Sequence, residues 1–252
     1  QKNADTIRFL NQHHAHFTFG ENLGQPDCPL PAGGLKWRPT RQPVAVDLWQ
    51  QESRLTAHGS PLTFTTIANW ETKGKDIVWK NQIYYWSKTF EFLKFSDLPR
   101  CLGGSRFVCE LATDMSHDPA SNQLFERQGW RLTSPHAISC NYDDYVNYIQ
   151  QSDAEWTVAK DQYVRLKTGW FSDRSACYLA AGRPVITQDT LFGKSIPTGE
   201  GLFAFRNAED ICKAAEAIAV DYERHSRKAI EIAREYFSAE KVVGKIMDAL
   251  GI

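Results

Sequence analysis

Residues 167–190 read Lys167-Thr168-Gly169-Trp170-Phe171-Ser172-Asp173-Arg174-Ser175-Ala176-Cys177-Tyr178-Leu179-Ala180-Ala181-Gly182-Arg183-Pro184-Val185-Ile186-Thr187-Gln188-Asp189-Thr190, and their reading decides the fold. A glycine-containing loop leads into a helix over 174–181. Gly182 closes the helix, because glycine tolerates the left-handed backbone at that position. Pro184 to Gln188 then returns as a strand. Working outward, Glu155 to Ala159, Trp130 to Thr133, Arg106 to Leu111 and Leu62 to Ile67 also read as strands. Tyr142 to Gln150 and Asn122 to Gln128 read as helices between them. From residue 62 on, strands alternate with helices, which demands crossovers and a parallel sheet. The predicted class is α/β, a Rossmann-like parallel sheet with flanking helices. Residues 76–95, with Ile77, Ile83, Tyr84, Trp86, Phe90 and Leu93 as apolar members, are predicted helical. Three amphipathic helices fill the tail after Asn207, a helix-capping residue with Asp210 at the acid position of a capping box.

The first 60 residues are organised differently. Phe17 and Phe19 alternate with polar neighbours, which predicts a short strand. Residues 20–43 carry Pro26, Pro29, Pro31, Gly33, Gly34 and Pro39 and read as one long loop. Pro43 to Trp49 reads as a second strand, and His58-Gly59-Ser60-Pro61 marks a domain boundary. The expected division is residues 1–60 as the end of an amino-terminal domain and 61–252 as a Rossmann-like domain.

Composition narrows the classes of function. Of 252 residues, 42% are apolar and 23% charged, enough apolar material to fill a core and to argue against disorder. Lys plus Arg is 29 against 30 Asp plus Glu, so no bulk basic face for nucleic acid is expected. No run approaches the roughly 18 apolar residues of a membrane span, and no signal peptide opens the chain. Six scattered cysteines without a C-x-x-C pair predict free thiols in a reducing cytoplasm. Eight tryptophans are many for this length, and aromatic faces stack on bases and sugars.

The chemistry concentrates around the opening stretch. A helix start offers free N–H groups and a positive dipole end to a phosphate. Gly169 and Trp170 lie in that loop, Ser172 adds a hydroxyl, Asp173 opens the helix, and Arg174 adds a charged fork. The plainer alternative is that Ser172 and Asp173 are only helix caps. Gln188, Asp189 and Thr190 follow a strand, where open α/β sheets bind ligands, and could read sugar hydroxyls. Lys160 also lies at a strand's carboxyl end. Lys88 and Glu91 stand three apart and read as a surface ion pair. His13, His14 and His16 form an H-x-H cluster without a metal framework around it. They read as structural or acceptor-side residues. Trp170 is the tryptophan favoured for a ligand role, and Trp70 is second.

Ala181-Gly182-Arg183-Pro184-Val185-Ile186, Gln188-Asp189-Thr190, Gly199-Glu200-Gly201-Leu202 and Ile230 to Ser238 resemble the carboxyl-terminal half of a GT-B glycosyltransferase, over roughly residues 62–252. The retaining type that uses nucleotide diphosphate sugars is the nearest. The resemblance implies a twin-Rossmann enzyme without a cofactor. Its donor substrate would be a nucleotide diphosphate sugar held by Lys160, Gly169, Trp170, Ser172, Asp173, Arg174, Gln188, Asp189 and Thr190. His14, His16 and Arg174 would then be the catalytic candidates. It implies an unknown acceptor, a missing amino-terminal domain, and a last helix over 239–250 that crosses back to that domain. The chain's start at Gln1 fits that expectation. Two glutamates eight apart are common in such enzymes, but the matching positions hold Gly169 and Cys177. Gly169-Trp170-Phe171-Ser172 is also similar to a plant-type phosphate loop, with a longer spacing to the next glycine. The departures keep two alternatives open, a non-catalytic nucleotide-sugar or glycan binder and a sugar-nucleotide epimerase of the same fold.

Overall fold

The computed structural model describes residues 4–50 and 60–252. The amino-terminal segment carries α1 (Ala4–Leu10), β1 (His16–Thr18), β2 (Trp37–Pro39) and a 3-10 turn at Val46–Trp49. The main layer follows with β3 (Leu62–Ile67), a hairpin of β4 (Ile77–Trp79) and β5 (Gln82–Tyr84), then α2 (Thr89–Leu93), α3 (Leu98–Cys101) and β6 (Phe107–Ala112). Next come α4 (Pro119–Gln128), β7 (Arg131–Thr133), α5 (Pro135–Ser139), α6 (Tyr142–Gln151), β8 (Ala154–Thr157) and α7 (Asp161–Arg165). The chain ends through α8 (Asp173–Ala180), β9 (Val185–Gln188), β10 (Leu202–Phe205), α9 (Ala208–Val220), α10 (Tyr222–Tyr236) and α11 (Ala239–Leu250).

Six parallel strands make one sheet in the order β10-β9-β8-β3-β6-β7. The first strand in sequence, β3, therefore lies at the centre, and chain order reverses between β3 and β8. Thr65 pairs with Glu155 across that reversal. Every residue of β8 and β9 is buried, as expected of parallel strands covered on both faces. Side chains alternate between two cores. Phe64, Phe107, Trp156, Ile186 and Phe205 face α2, α3, α4 and α9. Val185 and Leu202 face α6, α8 and α10. Trp156 is 1% exposed and stacks on Phe205 at 5.9 Å. Full burial of a large apolar side chain contributes on the order of 1.5–3 kcal/mol.

Two expectations are corrected. Residues 77–84 form an antiparallel hairpin, not the start of a helix. Lys80 and Asn81 both take left-handed backbones, φ 50° and 58°, and a two-residue turn of that type joins strands rather than helical turns. Helix begins only at Thr89. Residues 46–49 form a 3-10 turn rather than a strand, with Val46 and Trp49 buried in the second core. The 20–43 loop also holds β2, which pairs in parallel with β1.

The boundary expected at 60/61 adjoins residues 51–59, which lie outside the described residues. The segment before it is docked on the main layer. The Asn22 N–H donates to the Thr168 carbonyl at 3.0 Å, and Val44 bridges Ser238. The tail helices follow the predicted pattern. Asn207 caps α9 by accepting from the Asp210 N–H at 2.9 Å. The Asp210 carboxylate accepts from the Arg206 N–H, one residue before the position a capping box uses. Arg38 on β2 donates to the Ala249 carbonyl of α11, so the last helix reaches the amino-terminal segment.

Candidate anion-binding crevice

In a sheet of this order, a crevice opens at the carboxyl ends of the two strands flanking the reversal. Here those strands are β3 and β8, and Arg174 fills the junction between them. From the first turn of α8, its Nε donates to Glu155 Oε1 at 2.5 Å and its Nη2 to Thr157 Oγ1 at 2.8 Å. Its Nη1 donates to the Ile67 carbonyl. Glu155 is fully buried, and its Oε2 has no hydrogen-bond partner among the described residues. Burial opposes the Arg174 charge, but Glu155 overrides it and holds the guanidinium protonated more firmly than usual. Three of the five guanidinium N–H groups are engaged in this network. Arg174 is thus anchored in the crevice rather than standing as an open fork.

Two lysines join it. Lys88 precedes α2 and is 8% exposed. Among the described residues no hydrogen bond or ion pair engages its ammonium. Burial, then the Arg174 charge, push its pKa well below the usual lysine range, with Lys160 pushing the same way and Glu155 and Asp173 opposing. The surface pair with Glu91 does not form. Glu91 is buried and binds Lys94 and the Gln188 amide instead. Lys160 follows β8 and lies 3.3 Å from the centre of the Trp86 ring. Burial, with Lys75 nearby, lowers its pKa to about 8. An aromatic run continues from Trp86 through Tyr163 to Trp170, whose ring stacks on Tyr163 at 4.7 Å.

The loop before α8 is tightly specified. Gly169 has φ 73°, and a Cβ there would lie 2.6 Å from the Asn22 nitrogen, so both backbone and space require glycine. The Gly169 N–H donates to the Thr190 carbonyl at 2.7 Å, and the Thr190 hydroxyl donates to the Trp170 carbonyl at 2.6 Å. Ser172 occupies the N-cap position without capping the helix through its side chain. It is buried, whereas Asp173 is exposed, and Ser175 Oγ in the same turn is buried without a partner among the described residues.

Gln188, Asp189 and Thr190 are committed internally. The Gln188 side-chain Oε1 accepts from the Ala159 N–H and its Nε2 donates to Glu91. Asp189 accepts from the Leu191 N–H and from Arg206. These residues shape the loop that carries the crevice wall. The histidines lie on the amino-terminal segment. His16 Nε2 is 2.8 Å from the Leu10 carbonyl, and its ring meets Trp37 edge-on. His14 is exposed. Trp70 is a core residue whose indole donates to Asp118. Sequence reasoning passed over Glu155. Its signal was a carboxylate inside the strand-like run Glu155-Trp156-Thr157-Val158-Ala159, where a partner cation has to come from elsewhere in the fold.

The strand order and the crevice define the class: the fold is that of the GT-B glycosyltransferases. Particular solved structures align with it. A glycosyltransferase from Rickettsia africae ESF-5 matches at 13% identity and a TM-score of 0.54, covering 85% of this chain and 56% of that one. Anabaena HepE in complex with UDP and glucose matches at 10% identity and 0.55, covering 87% and 58%. An α,α-trehalose-phosphate synthase (UDP-forming) from Burkholderia xenovorans matches at 12% identity and 0.52, covering 86% and 52%. The chain thus spans little more than half the length of each. No family model and no curated protein matches the sequence. No helix among the described residues is long and apolar enough to cross a membrane.

Proposed function

We propose that this chain is the donor-binding half of a glycosyltransferase and holds a nucleotide diphosphate sugar at the β3/β8 crevice. The observation that carries the reading is Lys88. A buried ammonium with no engaged carboxylate, beside Arg174 and Lys160, is costly unless an anion completes it. A diphosphate supplies that anion. In sugar transfer the leaving diphosphate gains negative charge, and fixed cations together with the first turn of α8 stabilise it without reorganising. Arg174 and Lys88 supply the fixed charge, Lys160 adds a third at the rim, and no metal ion enters this scheme. Trp170 and Tyr163 offer apolar faces on the β8 side of the crevice. Neighbours of the same fold hold UDP or are UDP-forming, which supports a nucleotide donor. His14 and His16 are proposed as acceptor-side residues. Their replacement by alanine, one at a time, is expected to lower transfer and leave donor binding intact, and unchanged turnover in both removes them.

A second reading, a non-catalytic nucleotide-sugar binder, is favoured by the residues at the common glutamate positions. Gly169 is buried under Asn22, and Cys177 is a half-buried thiol whose pKa burial pushes to about 12. Calorimetric titration with UDP-, GDP- and ADP-glucose tests both readings. Binding with transfer or slow hydrolysis supports the enzyme, binding without turnover supports the binder, and no binding to any donor overturns both.

A further inference from the structure

The loop that leads into α8 is held along its carbonyl edge by the amino-terminal segment. The Asn22 N–H donates to the Thr168 carbonyl at 3.0 Å, and the Asn22 side-chain Nδ2 donates to the Lys167 carbonyl at 2.9 Å. Gly20 bridges Trp170, and Gln42 Nε2 donates to the Phe171 carbonyl at 3.1 Å. Asn22 is 4% exposed, and its amide is fully committed. Nδ2 also donates to Asp27 Oδ1 at 3.1 Å, and Oδ1 accepts from Lys194 Nζ at 3.0 Å. Lys194 reaches Asp27 as well, at 3.0 Å, which closes a triangle of three side chains. This hold falls where the loop needs support. Lys167 takes a left-handed backbone, φ 51°, which a residue with a side chain seldom keeps unaided. Gly169 follows at φ 73°, with Asn22 packed over the side where a Cβ would stand.

We propose that Asn22 is a positioning residue for the crevice. It acts through the 167–172 loop to set where the first turn of α8, and with it Arg174, enters the space between β3 and β8. Three features carry this. Asn22 grips two successive carbonyls, so it fixes the orientation of the peptide planes and not only their distance. The grip is itself locked, because Lys194 comes from the turn after β9 and holds the amide from a third stretch of chain. Only Ser172 separates the last gripped carbonyl, that of Phe171, from α8, so a shift of the loop passes directly to the helix start. The consequence for diphosphate affinity rests on the nucleotide reading above, whereas the placement of the loop does not.

Hydrogen–deuterium exchange and UDP titration on the full chain test it. Asn22→Asp keeps the side-chain size and the backbone N–H but replaces the donating Nδ2 by an oxygen that faces the Lys167 carbonyl and Asp27. Lys194→Met, at a side chain 48% exposed, releases Asn22 from outside and is expected to fold. Arg38→Met is the control, because it breaks a contact of the same segment to Ala249 of α11, away from the loop. In Asn22→Asp and Lys194→Met, residues 167–178 of the free protein are expected to exchange about tenfold faster while β6 and α9 exchange as in the parent. UDP affinity is expected to fall about tenfold in both and to hold in Arg38→Met. Unchanged loop exchange in both variants overturns the proposal. So does faster exchange throughout the sheet or equally in Arg38→Met, which makes Asn22 a structural residue only. Faster loop exchange with full UDP affinity also overturns it. A parent that binds no UDP removes the nucleotide reading, and the exchange result then decides the placement of the loop by itself.

Discussion

The two halves of the sheet treat their carboxyl ends in opposite ways. At the β3/β8 reversal the crevice floor is a tied network: Arg174 is bound to Glu155, Thr157 and Ile67, and Gln188 reaches across to Glu91. At β3, β6 and β7 the ends stand open as a cleft of about 700 Å³ with exposed polar side chains. The first region is a buried charge network in which Arg174 and Glu155 depend on each other and Lys88 stands beside them. The second is a wet surface in which single side chains act alone. A charge network of this kind couples stability to anion binding, whereas an open cleft can vary with little effect on the fold.

The comparison is broken most directly at Arg174. Arg174→Met leaves Glu155 buried without its cation and is expected to cost about 3–5 kcal/mol in urea unfolding. The double change with Glu155→Gln is expected to recover much of that loss. If the single variant unfolds like the parent, the crevice is not an interdependent network. Gly169→Ala comes next. The left-handed backbone and the approach of Asn22 predict a loss of about 1–3 kcal/mol, whereas Asp114→Asn on the open side should leave the unfolding midpoint unchanged.

Lys88→Met separates stability from binding. Removing an uncompensated buried ammonium is expected to raise the melting temperature, while UDP affinity falls by about tenfold to a hundredfold, the worth of one charged hydrogen bond. A fall in both would make Lys88 structural. Burial and the Arg174 charge lower the Lys88 pKa and a bound anion opposes them, so nucleotide binding is expected to raise that pKa, with proton uptake confined to pH values near it. Calorimetry in buffers of different ionisation enthalpy reads this directly. Lys160 gives a gentler version. Its ammonium is present below about pH 8 and lost above it, so UDP affinity should weaken as pH rises through 8, a slope missing in Lys160→Met. The smallest effect is expected at the exposed Arg106–Glu216 pair, where Arg106→Gln should shift stability by less than about 1 kcal/mol.

The same contrast explains what the sequence revealed. The three closing helices announce themselves by their amphipathic period, and the strands β3, β6, β8 and β9 by short apolar or β-branched runs between turn residues. The 77–84 hairpin does not. Its apolar residues fall at spacings a helix also uses, and the deciding signal is the Lys80-Asn81 pair, whose left-handed turn overrides the period. The crevice was half legible. Gly169 and Arg174 stand out beside a helix start, but nothing local shows that Arg174 turns inward to a glutamate 19 positions earlier. The Lys88–Glu91 spacing suggests a surface pair because helix neighbours usually pair, yet α2 is too short and too buried to offer that surface. The open cleft had no signature at all, since its walls come from four separate stretches of chain.

Val44 joins parts of the chain that are nearly two hundred residues apart. Its N–H donates to the Phe237 carbonyl at 2.8 Å and its own carbonyl accepts from the Ala239 N–H at 2.9 Å, at the corner where α10 passes into α11. The direction of the last helix is therefore set by a residue near the start of the chain. Under tension on the carboxyl terminus, this clasp lies behind α11 and is loaded after it. Tension that has peeled α11 back to its first residue is passed on to the early segment through Val44.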